Sequence, residues 1–149
     1  MDITTRGCWP ALLLKANQAV QLAAGDVAGA RQQLAALAQQ RLRVAGMMEE
    51  YARRHRALTV GDHYVSESLA IQRFLGQLRL MLDRIESEAV KAEGWHRAAL
   101  QKLGAAQTEA NKFCKLIDLE TAVRRDSEAR SEAKSFDEMA LLRFRVRER

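Results

Sequence analysis

The chain has 149 residues, 48 % of them hydrophobic but only 5 % aromatic, with 24 Lys+Arg against 19 Asp+Glu. Alanine supplies much of the apolar content, which argues against a broad globular core. The many good helix formers and the single proline, Pro10, point to an all-α chain. A net charge of +5 is too mild to imply nucleic acid, and two distant cysteines, Cys8 and Cys114, cannot frame a disulfide scaffold.

Residues 1–9 read as a loose arm, and Pro10 suits the first helical position, where a missing N–H costs nothing. From there an apolar seam runs in steps of three and four. It comprises Leu13, Ala16, Val20, Ala23, Val27, Ala30, Leu34, Leu37, Arg41, Val44, Met48, Tyr51, His55 and Leu58. This is the a/d spacing of a coiled coil. Only Arg41 and His55 break it, and their tips can snorkel to the edge of a thin bundle. Gly25, Gly29 and Gly46 lie off the seam and read as weak spots, because the frame continues across all three.

Thr59, Val60, Gly61, Asp62 and His63 interrupt the pattern. Gly61 suits the residue after a helix C-terminus, Arg53, Arg54 and Arg56 suit the last turn, and Ser66 with Glu67 suits the next N-terminus. Such a short connection folds two helices back antiparallel. The expected elements are helix 1 over about 10–58, a tip loop over about 59–66 and helix 2 over about 67–145, as one coiled-coil domain.

The second seam matches the first in number of positions. It comprises Ile71, Leu75, Leu78, Leu82, Ile85, Ala89, Ala92, His96, Ala99, Leu103, Ala106, Ala110, Phe113 and Ile117. Each seam is expected to cover the other. That pairing sets alanines against alanines in one stretch and places Leu75, Leu78, Leu82 and Ile85 near Val44, Met48 and Tyr51. Past Ile117 the frame fails at Glu120, Arg124, Ser127 and Ser131, although neither Pro nor Gly interrupts the helix from Ala105 onward. The expected fold is therefore a long two-helix antiparallel coiled-coil hairpin with helix 2 overhanging helix 1. Phe136, Met139 and Phe144 then form an apolar stripe without cover in the chain, which suggests a partner.

Little points to catalysis. Glu93-Gly94-Trp95-His96 has the Glu-x-x-His spacing of half a di-iron site, but the facing stretch offers Arg31 and Gln32 and no carboxylate. His96 reads better as a polar seam residue that sets register at a cost in stability. No phosphate loop, nucleophile elbow or zinc spacing is present. The chain reads as non-enzymatic, without cofactor or metal. Arg143, Arg145, Arg147 and Arg149 recur every second residue, which does not line one helix face for nucleic acid. No apolar run reaches the length of a membrane span, and no signal-peptide layout opens the chain, so a cytoplasmic location is expected.

A Lys-x-x-Asp-Glu-x-Ala pattern followed by Arg closes this layout, at Lys134, Asp137, Glu138, Ala140 and Arg143. In this the chain resembles the FliJ/YscO (SctO) family, the central stalk proteins of bacterial flagellar and injectisome type III export machines. The resemblance implies a hairpin like the stalk of rotary ATPases, peripheral to the inner-membrane apparatus. Its paired termini would enter a hexameric export ATPase and its tip would face a membrane export gate protein, with export chaperones as further partners. By that resemblance the ATPase-binding residues are Lys134, Asp137, Glu138, Met139, Arg143 and Phe144. The gate-binding residues are Phe74, Leu78, Met81 and Ile85, after a Gln-x-Phe-like stretch at Gln72 to Phe74. Two of these, Leu78 and Ile85, are also seam residues. Richness in alanine leans towards an injectisome member. The rival reading is a free coiled-coil scaffold or chaperone that dimerises through Leu12, Leu14, Leu69 and Leu80.

Overall fold

A computed structural model describes residues 8–58 and 64–147, with side chains described through Phe144. The arm at 1–7, the connection Thr59 to His63 with its Gly61, and the side chains of Arg145, Arg147 and Arg149 lie outside the described residues. Among the described residues all but Leu58 are helical. Helix α1 spans Cys8–Ala57 (50 residues) and helix α2 spans Tyr64–Arg147 (84 residues).

The helix starts correct two expectations. α1 begins at Cys8, ahead of Pro10. Proline is tolerated there because no N–H in the first turn has an intrahelical acceptor. α2 begins at Tyr64, so Ser66 lies inside the first turn and does not cap it, whereas Glu67 does occupy that turn. At the other end of α1, Arg54, His55 and Arg56 fill the last turn, where positive charge complements the helix dipole. The Leu58 amide donates to the Arg54 carbonyl at 3.1 Å and extends the backbone ladder by one bond.

The two helices pair antiparallel. Arg41 meets Glu86, Tyr51 meets Phe74 and His55 meets Ser68, so numbers rise along one helix as they fall along the other. The chain divides into two compact units, residues 21–104 and residues 1–20 with 105–149. In the first, Leu37, Val44, Leu78, Ile85 and Ala92 form a buried cluster, with Leu34, Met48, Phe74, Leu82 and Ala89 packed against it. These are seam residues, apart from Phe74. Fully burying a side chain of the Leu or Ile class contributes roughly 1.5–3 kcal/mol. In the second unit, Ala16 and Ala110 are buried, Leu13, Val20, Ala106, Phe113 and Ile117 are half-buried, and the Trp9 ring tilts against Phe113 with centroids 6.1 Å apart.

Every expected seam residue on α2 is buried or half-buried, and on α1 the one exposed member is Arg41. Arg41 reaches outward to Glu86 at 3.4 Å. The seam also extends one step further than expected, to Ser68. This residue is buried and shares a 2.8 Å hydrogen bond with His55 Nε2. A polar pair thus closes the seam near the connection, each partner satisfying the other.

Cover ends just beyond Ile117. Glu120 and Thr121 are half-buried, and every side chain from Ala122 to Phe144 is exposed. The helix persists there on local interactions. The Thr121 hydroxyl donates to the Ile117 carbonyl at 2.8 Å, and Arg130–Asp126 and Arg124–Glu128 are one-turn ion pairs.

Removing buried bulk should be far costlier than removing exposed charge. Leu78→Ala should destabilise the protein by about 2–4 kcal/mol in chemical denaturation. Arg41→Ala should cost less than about 1 kcal/mol, since its ion pair is exposed.

Candidate functional site

Two surfaces were expected to carry function, one on the early part of α2 and one near its end. The early one splits by burial. Leu78 and Ile85 are only 3 % and 8 % exposed and belong to the core, whereas Met81 is 51 % exposed. Leu78 and Ile85 follow one another at heptad spacing on the covered stripe. Met81 falls three residues after Leu78, a step that carries it round to the flank of the seam.

Phe74 is intermediate. Its ring tilts against Tyr51, with centroids 4.6 Å apart and planes at 55°. The Arg54 guanidinium lies over the Tyr51 ring at 5.2 Å and is itself held by Glu50 at 2.6 Å. This chain from Glu50 through Arg54 and Tyr51 fixes Phe74 as a half-exposed aromatic on a supported platform. Exposed Met81 lies two turns further along the same helix. A shallow groove borders the same core, of ≈ 790 Å³, lined by residues that include Ala38, Leu42, Ala45, Val90 and Glu93.

The later surface lies wholly beyond the paired stretch. Lys134, Asp137, Glu138, Met139, Arg143 and Phe144 are all exposed. Large apolar side chains dominate: Phe136, Met139, Leu141, Leu142 and Phe144 are each more than half exposed. Phe136, Met139, Ala140 and Phe144 recur at helical spacing and share one side of α2, with Arg143 on the same arc. Phe136, Leu141 and Leu142 lie outside the binding residues that the resemblance implies, although Phe136 belongs to the uncovered stripe that the sequence predicts. Their signal was apolar bulk beyond the end of the seam.

Elsewhere the chemistry is sparse. Among the described residues, no group of three or more His, Cys, Asp and Glu side chains is placed to hold a metal ion. The His96 Nε2 is buried without a hydrogen-bond partner, a polar seam atom amid alanine-rich packing. Cys8 and Cys114 are free and exposed. A recess of ≈ 390 Å³ is lined by residues that include Leu12, Ala16, Ala19, Ala106 and Phe113, and its walls carry Lys15 and Glu109 as their charged groups.

Comparison with known families decides the broader question. A family model described as "Flagellar FliJ protein" matches residues 11–149. The chain belongs to the FliJ family. It is therefore a stalk protein related to flagellar type III export, from a family of non-enzymatic components associated with the export apparatus. The matched model is the flagellar one, against the lean towards an injectisome that alanine content gave. No curated protein and no solved structure matches. Among the described residues, no helix is long and apolar enough to cross a membrane.

In a FliJ member with an exposed terminal stripe, stability and binding should be separable. Replacing Phe136, Met139 and Phe144 together by Ser should change the unfolding free energy by no more than about 1 kcal/mol, because nothing among the described residues covers them. The measurement is a denaturant titration beside Leu78→Ala, which should show the large loss.

Proposed function

We propose that this FliJ-family chain is a non-enzymatic central stalk that engages a hexameric type III export ATPase through the end of α2 and a membrane export gate protein through the early part of α2. The observation that carries the reading is the exposed apolar stripe at 136–144 on a helix that has outrun its partner. Exposed side chains of this size, in such number, are what a helix offers when it completes its packing on another protein. Met139 and Phe144 supply apolar anchors. Lys134, Asp137, Glu138 and Arg143 surround them with charge that sets orientation more than affinity.

For the gate, Met81 and the free edge of Phe74 are the contact groups. Leu78 and Ile85 act from beneath, keeping the helix straight and Met81 outward. The protein works in the cytoplasm, peripheral to the inner-membrane apparatus, with export chaperones as further partners and without nucleic acid. A single coiled-coil domain suits this role because the two contact regions are held on one continuous helix.

A second reading has its own support. Leu14, Leu69 and Leu80 are 62 %, 49 % and 66 % exposed, off the seam, and would feed a free dimeric scaffold or chaperone, whereas Leu12 is half-buried and offers less. Sedimentation separates the two. The stalk is a monomer that binds the ATPase, and the scaffold is a concentration-independent dimer that ignores it.

The direct test is stimulation of the cognate ATPase. Deleting 118–149 leaves every seam residue in place and should abolish stimulation. If the shortened chain stimulates as well as the full one, the assignment fails. Met81→Asp should leave ATPase stimulation intact and weaken capture of the gate protein by roughly tenfold, the effect of losing one buried apolar contact and introducing a charge.

A further inference from the structure

Three weakening features meet at one level of the hairpin, all within residues 21–104. Carrying the register of Arg41–Glu86 and Tyr51–Phe74 along both helices brings residues 22–32 of α1 level with residues 94–104 of α2. This belt holds Gly25, Gly29, Gly94 and Gly104, half of the chain's eight glycines. A Cβ added at any of these four would meet nothing within 4 Å. Close packing therefore does not require glycine at these positions, yet each lowers the stability of a helix interior relative to alanine.

The seam is thin at the same level. Ala23, Val27 and Ala99 are buried but stand outside the cluster of Leu37, Val44, Leu78, Ile85 and Ala92. Alanine at seam positions buries little area, so the belt gains less from closing than the leucine-rich stretch beside it. The third feature is His96, on the belt's seam, whose buried Nε2 has no hydrogen-bond partner. An unmet polar atom favours opening, because water would satisfy it.

We propose that residues 22–32 and 94–104 form a built-in joint, a belt that opens locally while the leucine-rich stretch stays closed. Local opening of this kind draws on the segments with fewest buried apolar contacts. The joint gives two otherwise uninterrupted helices one place to yield. Both helices are continuous through it when it is closed, with no proline or loop at that level.

Hydrogen exchange on the full chain tests this. After correction for intrinsic rates, amides of 22–32 and 94–104 should exchange at least about tenfold faster than those of 37–48 and 74–89. Equal protection in the two regions would overturn the proposal. The combined variant Gly25→Ala, Gly29→Ala, Gly94→Ala and Gly104→Ala fills open space and should fold. It should slow exchange in the belt by about tenfold or more and leave the leucine-rich stretch within about twofold. A uniform change along the chain, or none in the belt, would also overturn it. His96→Leu should slow the belt in the same way without touching a glycine, and unchanged belt exchange in that variant would overturn the proposal.

Discussion

Everything in this protein depends on the mutual burial of two apolar stripes. Neither seam can stay in water, and neither helix has a second layer to hide behind. The connection at 59–63 is too short to let them do anything but fold back on each other. Once Leu37, Val44, Leu78 and Ile85 interlock, register is set for the flanking pairs: Arg41 with Glu86, Tyr51 with Phe74, His55 with Ser68. The polar exceptions are placed by the same constraint. Arg41 escapes to the edge because its stem is long. His55 finds Ser68. His96, amid alanine-rich packing, has its Nε2 left without a partner.

The seam is not uniform, and its unevenness has consequences. Bulk concentrates where the buried cluster lies, and alanine prevails towards Ala23 and Ala99. Helices made of good helix formers tolerate such thinning, because the backbone ladder is satisfied within each helix whatever the side chains do. The result is secondary structure that is continuous and tertiary packing that is graded. A stalk with the two contact regions proposed above would use both properties.

The proposed contacts sit where burial stops. Past Thr121 the helix has no partner among the described residues, and its large apolar side chains are exposed there. On the early part of α2 the division is finer. Along α2, alternating steps of three and four, as from Leu75 to Leu78 to Leu82, stay on the core stripe, whereas two successive steps of three, Leu75 to Leu78 to Met81, drift off it to the flank. Membership of the FliJ family gives these exposed groups a setting, the flagellar export apparatus, and makes a non-enzymatic role the natural one.

Much of the fold was legible in the residues alone. Leu13 to Leu58 and Ile71 to Ile117 keep one unbroken period each, and periodicity is a local property that needs no coordinates. The end of the seam at Ile117 and the bare stripe at Phe136 followed from the same pattern. Helix starts were less legible: α1 begins before Pro10 and α2 before Ser66, since a first turn accepts many residues and caps only bias it. What the tertiary structure decided was how far each apolar residue named by the family resemblance is free to bind. A seam pattern and a binding motif can name the same residues, and Leu78, Ile85, Phe74 and Met81 were such a set. Burial is a property of the pair of helices, not of either sequence stretch. The seam frame already set Leu78 and Ile85 inside and Met81 beside them. The packed hairpin buries the first two, leaves Met81 exposed and adds what the frame lacked, the placing of Phe74 on the edge against Tyr51.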